Sequence, residues 1–182
     1  MDYSILKGKR IELSGFLEED LPIISSWSKN EHLQRNLDAL PFKPKTNDEI
    51  QKWMNHSSEK DFRFAIRLMD TNELIGYVEV DGILWTHRTG WVTIAIGDGR
   101  YWGDGYGKEA LTCLISYAFQ ELNLFRLQLT VFSYNERAIK LYKSLGFEEE
   151  GRFRKFLQRD GDRYDMILFG LLKDEWKKNN ES

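Results

Sequence analysis

The sequence predicts an α+β fold, and three observations carry that expectation. Seven segments have the alternating or short apolar character of strands, and four others carry apolar residues at helical spacing. Turn chemistry at Asp70-Thr71-Asn72-Glu73 and at Arg159-Asp160-Gly161-Asp162 joins two strand pairs as hairpins. A strand–helix–strand unit from Thr89 to Phe132 sits in the middle, between antiparallel strands that come before and after it.

In chain order, Arg10 to Phe16 carries Ile11, Leu13 and Phe16 and reads as the first strand. Glu18 to Lys29 places Leu21, Ile24, Trp27 and Ser28 at helical spacing, with Pro22 near the start, where a missing N–H costs little. Pro41 and Pro44 mark a loop. Thr46-Asn47-Asp48-Glu49 matches a capping box and opens a short helix through Ile50, Trp53 and Met54. Arg63 to Met69 and Leu74 to Ile83 form a hairpin, and Thr89 to Ile96 is a further strand. The run Trp102-Gly103-Asp104-Gly105-Tyr106-Gly107 follows. Lys108 to Leu122 then puts Leu111, Leu114, Ile115, Ala118 and Phe119 on one helical face. Leu124 to Phe132 is a strand. Glu136 to Leu145 is a helix with Ile139, Leu141, Tyr142 and Leu145 as its apolar positions, and Gly146 stands where a glycine ends a helix. Phe147 to Leu157 and Arg163 to Leu172 pair as the last hairpin, and Trp176 lies in a short polar tail.

The 182 residues suit one domain spanning 1–182, and 41% hydrophobic with 30% charged residues is an ordinary balance for a globular protein. The net charge is −3, without the basic footprint of a nucleic-acid binder, so no nucleic-acid partner is expected. The lone Cys113 cannot form an internal disulfide; it falls in an apolar run and reads as a small core residue in a reducing compartment. Met1 to Arg10 carries charges and lacks the apolar stretch of a signal peptide. No window approaches the ~20 apolar residues of a membrane span. A cytoplasmic location and no membrane partner are therefore expected. No His/Cys/Asp cluster has metal-ligand spacing, so no metal is expected.

The glycine run lies between a strand and a helix. A helix N-terminus offers unpaired N–H groups and about half a positive charge, and glycines let the backbone approach a phosphate. Gly103, Gly105, Gly107 and Lys108 therefore suit a diphosphate. A Walker loop would follow Gly-Lys with Ser or Thr, whereas Glu109 follows here. A dinucleotide loop needs G-x-G-x-x-G and an acid at the end of the next strand. This run is G-x-G-x-G, and Phe132-Ser133-Tyr134-Asn135 supplies no acid. A coenzyme A loop and a plain glycine turn remain.

Two segments together resemble the GNAT superfamily of N-acetyltransferases. Asp98 to Ala110 is similar to the family's pyrophosphate motif, Q/R-x-x-G-x-G/A, with Trp102 in the Gln/Arg place and Gly105 and Gly107 as its glycines. Asn135 to Phe147 is similar to its second cofactor motif, N-x-x-A-x-x-x-Y-x-x-x-G-F. The Tyr-Trp-Gly-x-Gly-Tyr form and the final hairpin resemble the branch of ribosomal-protein N-terminal and polyamine acetyltransferases. The resemblance runs from about Lys9 to Leu172. It implies a three-layer fold: a mixed, mostly antiparallel central sheet of about seven strands flanked by helices, with a splayed parallel strand pair at the cofactor site.

The resemblance also implies acetyl-CoA as the donor and a primary amine as the acceptor, either a protein N-terminal α-amine or a small molecule. Backbone N–H groups of Trp102, Gly103, Asp104, Gly105, Tyr106 and Gly107, with Lys108, would hold the pyrophosphate. Ile94, Ala95 and Ile96 would pair with the pantetheine arm. Asn135 and Ala138 belong to the second cofactor motif, with Asn135 near the splay, and Arg137, Lys140 and Lys143 would reach the adenosine phosphates. Tyr142 would protonate the departing thiolate, and a backbone N–H at the end of the Thr93–Ile96 strand would meet the oxyanion. Because Trp102 departs from Gln or Arg, its backbone rather than its side chain is expected to matter. Glu79 is the first candidate for the base, against a solvated strand-face role, and His87 is the second. Asp38 is a candidate for binding a cationic substrate. The acceptor pocket is expected from Glu31 to Lys45, Trp85 to Thr89 and the final hairpin. A homodimer is common in the branch. A non-catalytic acyl-CoA sensor would keep the loop and lose the acid, so the presence of Tyr142 favours an enzyme.

Overall fold

The structure, a computed structural model, describes residues 4–180, so Met1 to Tyr3 of the charged N-terminal stretch lie outside the described residues. One sheet holds β1 (Ile11–Ser14), β2 (Phe62–Leu68), β3 (Leu74–Leu84), β4 (Thr89–Ile96), β5 (Arg126–Phe132), β6 (Glu148–Arg159) and β7 (Asp162–Leu172). Their order is β1-β2-β3-β4-β5-β7-β6. Every neighbouring pair is antiparallel except β4 and β5, which are parallel. The helices are α1 (Leu21–Ser28), α2 (Glu31–Leu37), α3 (Asn47–Met54), α4 (Tyr106–Gln120), α5 (Glu136–Ser144) and α6 (Lys173–Asn180). This is the expected mixed sheet flanked by helices.

Local chemistry explains most boundaries. Thr46 and Glu49 form the reciprocal capping box that starts α3: Glu49 N–H donates to Thr46 Oγ1 at 3.2 Å, and Thr46 N–H to Glu49 Oε2 at 2.7 Å. Gly146, with φ of +90°, ends α5. Asp160 and Gly161 both have positive φ, as a two-residue hairpin turn requires. Two expectations need correction and one gap is filled. A 3-10 turn, Glu18–Asp20, precedes α1 and shortens that helix. Between the first helix and the Pro41–Pro44 loop, where the sequence reading assigns no element, lies α2, whose start is capped by Asn30 Oδ1 accepting from Leu33 N–H at 3.1 Å. The polar tail is α6, because Trp176 reaches back to pack on Phe119 of α4 with ring centroids 5.4 Å apart.

The two sheet faces carry separate apolar clusters. On one, Leu111, Leu114, Ile115, Ala118 and Phe119 of α4 pack with Ile66, Val78, Leu129 and Phe169. Cys113 is buried in this cluster, as the apolar run suggests, and burial pushes its thiol pKa up. On the other face, Ile24 and Trp27 of α1, Leu33 of α2 and Ile50 of α3 pack with Ala65 and Tyr77. Each such buried side chain contributes about 1.5–3 kcal/mol. The buried Asp20 accepts from Leu17 N–H at 2.7 Å and from the Arg67 guanidinium, which ties the start of α1 to β2.

The sheet is interrupted where function would need room. β4 and β5 pair only at Thr89↔Arg126, Gly90↔Leu127 and Trp91↔Gln128. Beyond Trp91 the strands run on, to Ile96 and Phe132, without pairing.

Candidate active site

A cleft of about 580 Å³ fills the gap between the diverging strands. The β3–β4 register fixes which backbone groups face it. Gly97 N–H donates to Ile75 O at 2.9 Å. Antiparallel pairs alternate between hydrogen-bonded and open, so with Gly76↔Ile96 and Tyr77↔Ala95 in register, Ala95 bonds to β3 while Ile94 and Ile96 do not. The N–H and C=O groups of Ile94 and Ile96 therefore face the side that β5 has vacated. Ala95 lines the cleft but directs its own backbone groups to β3. One of the free acceptors is covered: Trp102 Nε1 donates to Ile96 O at 2.8 Å.

At the next edge of the cleft the glycine loop runs into α4. Gly103 and Gly105 have φ of +84° and +86°, a backbone region costly to residues with a Cβ. Gly105 is the N-cap and brings no capping side chain. Since Glu109 N–H makes the first bond back to Gly105 O, the N–H groups of Tyr106, Gly107 and Lys108 have no partner within the helix. Trp102, Gly103, Gly105, Gly107 and Lys108 line the cleft, whereas Asp104 and Tyr106 do not. Asp104 turns its carbonyl to Arg10 Nη2 at 3.1 Å, and the Tyr106 ring lies 4.1 Å under the Arg10 guanidinium.

The opposite wall is α5. Asn135 Oδ1 caps it by accepting from Ala138 N–H at 3.3 Å. Asn135, Arg137, Ala138, Lys140 and Tyr142 line the cleft, and Lys143, on the exposed side of the helix, is not among the lining residues. The Arg137 guanidinium stacks 3.9 Å over the Trp102 ring, whose other neighbour is His32 at 5.9 Å. The Trp102 side chain is thus a bridge between loop, strand, α5 and α2. Tyr142 is 7% exposed and packed against Phe147 and Phe169. Burial pushes its phenol pKa well above the ordinary range.

The acids of β3 divide. Glu79 is buried, and Arg63 Nη2 donates to its carboxylate at 2.7 Å; Arg63 is itself held by Trp53 O at 2.7 Å and the Trp53 ring at 4.3 Å. Glu79, the first candidate for the base, is not among the residues lining the cleft. Asp81, two residues on and on the same strand face, does line it. Burial and the neighbouring Glu79 charge push the Asp81 carboxyl up to about 6. His87 lies in the exposed β3–β4 turn, outside the cleft. Asp38 accepts from Leu40 N–H at 2.8 Å. Among the described residues, no group of three or more His, Cys, Asp or Glu side chains could hold a metal ion, and no helix is long and apolar enough to cross a membrane.

A second cavity, about 590 Å³, adjoins the cleft at Asn36, Asn135 and Arg137. Its rim is strapped: Arg35 pairs with Glu31 at 3.3 Å and Asp160 at 2.9 Å, Tyr134 O–H donates to Arg35 O, and Arg159 Nη2 donates to Asp38 O at 2.7 Å. Two of the three segments expected to form the acceptor pocket, the α2 region and the final hairpin, meet here. Trp85 to Thr89 takes no part; Trp85 Nε1 instead bonds Glu59 O at 3.0 Å.

Comparison with known proteins places this geometry among relatives. Residues 10–148 match the family model described as an acetyltransferase (GNAT) domain. A prophage-derived uncharacterised N-acetyltransferase of Bacillus subtilis is 31% identical over 174 residues, covering 95% of this chain and 96% of the relative. The spermidine N(1)-acetyltransferase of Escherichia coli K12 is 31% identical over 168 residues, 91% of this chain and 88% of that protein. The crystal structure of spermidine N-acetyltransferase from Vibrio cholerae with CoA and spermine superposes with a TM-score of 0.83 at 24% identity, covering 92% of this chain and 98% of that one.

Proposed function

This chain belongs to the GNAT acetyltransferase family, and from that premise we propose that it acetylates a primary amine by direct attack in the cleft between β4 and β5, with Tyr142 as the general acid. Acetyl-CoA is the donor and supplies the acetyl group already activated as a thioester. The chain offers groups that fit it: three N–H groups at the uncapped start of α4 for the diphosphate, and the open β4 edge at Ile94 and Ile96 for an amide-bearing arm. Lys108, Lys140 and Arg137 add positive charge to the same cleft.

The observation that carries this reading is that the unpaired β4 edge, the open helix start and Tyr142 line one cavity. A free N–H on β4 suits the charge that develops on the carbonyl oxygen. Tyr142, a phenol that carries its proton at neutral pH, lines the cleft where a thiolate leaves without water to stabilise it. The acceptor class best supported is an aliphatic polyamine, because a spermidine N(1)-acetyltransferase is alike over nearly the whole chain.

The test is release of free thiol from acetyl-CoA with spermidine, spermine, an aminosugar and a short peptide with a free N-terminus. Turnover of the polyamines above the others is expected. Preference for the peptide would move the acceptor to a protein N-terminus. Tight acetyl-CoA binding without turnover of any amine would overturn the enzymatic reading in favour of an acyl-CoA sensor.

A further inference from the structure

We propose that Asp81 is the residue that receives the acceptor amine, anchoring its ammonium group and taking its proton, directly or through one water. The inference rests on the amine-acetylation reading above and assigns it a group that the cofactor motifs do not contain.

The first support is position. Asp81 pairs across β3–β4 with Trp91, and Trp91 pairs across β4–β5 with Gln128, the last pair before the strands part. Asp81 thus stands in the row of residues at the apex of the splay. Its side chain lies on the face shared with Tyr77 and Glu79, which is the face of α1 to α3 and opposite that of α4. An amine that comes to Asp81 reaches the cleft from the side away from α4.

The second support is a missing cation. Three carboxylates gather here: Glu79 and Asp81 of β3, and Asp61 just before β2. Glu79 is matched by Arg63 of β2 at 2.7 Å. Asp61 is hydrogen-bonded by His56, after α3, at 3.0 Å, and accepts from Gly82 N–H at 3.2 Å. Asp81 is half-buried, and no side chain among the described residues donates a hydrogen bond to it. The facing residues of β4, Trp91 and Thr93, and of α2, Leu33, Asn36 and Leu37, carry no charge. A half-buried carboxylate met only by its own backbone N–H and by the charge of Arg63, which Glu79 already engages, is costly to a fold, and an ammonium group is the complement this one lacks.

The chemistry balances. The ammonium loses one proton to Asp81, which passes it to solvent. The nitrogen then forms its bond to the carbonyl carbon as the carbon–sulfur bond breaks. The second proton lost from nitrogen replaces the one that Tyr142 gives to sulfur. A carboxyl at about 6 accepts a proton about a hundredfold more readily than an ordinary aspartate near ~4.

The experiment compares wild type with Asp81→Asn and Asp81→Glu, using spermidine as the probe amine. For Asp81→Asn, kcat/KM for the amine should fall about a hundredfold or more. The wild-type loss of kcat/KM as pH drops through about 6 should vanish, and acetyl-CoA affinity by calorimetry should be unchanged. The variant's Tm at pH 7 should rise, since a carboxyl whose folded pKa is raised destabilises the fold once it ionises; a merely structural residue would lower it. Asp81→Glu should recover part of the rate. An Asp81→Asn enzyme that keeps both its rate and the acid limb overturns the assignment while leaving the acetyltransfer reading intact. A wild type that binds acetyl-CoA and acetylates no amine overturns both.

Discussion

Arg10, just before β1, and Glu109 of α4, 99 residues apart, form one clamp behind the glycine loop. Arg10 N–H donates to Glu109 Oε1 at 2.5 Å and Arg10 Nε to Oε2 at 3.1 Å, while Ile11 N–H reaches Oε1 at 3.3 Å. The free arm of the guanidinium takes the Asp104 carbonyl. The residue that excludes a Walker loop by following Gly107-Lys108 therefore has a positive use: it anchors the start of α4 to the sheet.

Releasing that clamp should loosen the cradle without touching the reacting atoms. Arg10→Met is expected to raise KM for acetyl-CoA about tenfold, equivalent to ~1.4 kcal/mol, and to change kcat less than about twofold. Steady-state kinetics at saturating amine measures both.

Removing the Tyr142 hydroxyl should act in the opposite way. Tyr142→Phe preserves the packing on Phe147 and Phe169 and is expected to lower kcat about a hundredfold, with acetyl-CoA affinity unchanged. Full turnover in thiol release would remove Tyr142 from the mechanism.

The Asp20–Arg67 pair is buried on both sides, so losing one partner strands the other. Asp20→Ala is expected to cost about 3–5 kcal/mol, lowering Tm by roughly 10 °C for a chain of this size. Urea denaturation followed by tryptophan fluorescence reads the loss.

Gly97 follows β4 directly, where the Trp27 indole of α1 lies against the backbone. A Cβ added there would meet the ring at 2.0 Å. Gly97→Ala should cost about 1–3 kcal/mol by overpacking. Combining it with Trp27→Leu should recover part of the loss, so the two changes will not add.

The parts of the fold governed by short-range chemistry could be read along the chain. The Thr46–Glu49 capping box, the Asp160-Gly161 turn and the α4 stripe each depend on residues within a few positions of one another. The Asn30 cap before α2 is equally local, with Leu33 and Leu37 one turn apart, but two apolar positions in seven residues are too few to announce a helix beside the Pro41–Pro44 loop. The helical state of α6 depends on Trp176 finding Phe119, a contact 57 residues away that no local pattern announces. The site divides in the same way. The glycine run and the Asn135–Phe147 segment pointed to one cleft. Glu79 and Asp81 lie on the same strand face, and only the point where β4 and β5 stop pairing decides which of them meets the cavity.

That early end of pairing leaves β1–β4 and β5–β7 stitched together by three residue pairs, Thr89 to Trp91 against Arg126 to Gln128. The molecule resembles two leaves bound along a short spine, and a ligand arm lying along Ile94 and Ile96 would serve as the missing stitches. Amide protons of those two residues should exchange freely without coenzyme A and become protected when it is added, together with that of Thr130 on the facing leaf. In that sense the donor is a removable structural member, and each departure of product loosens the seam through which the next donor enters.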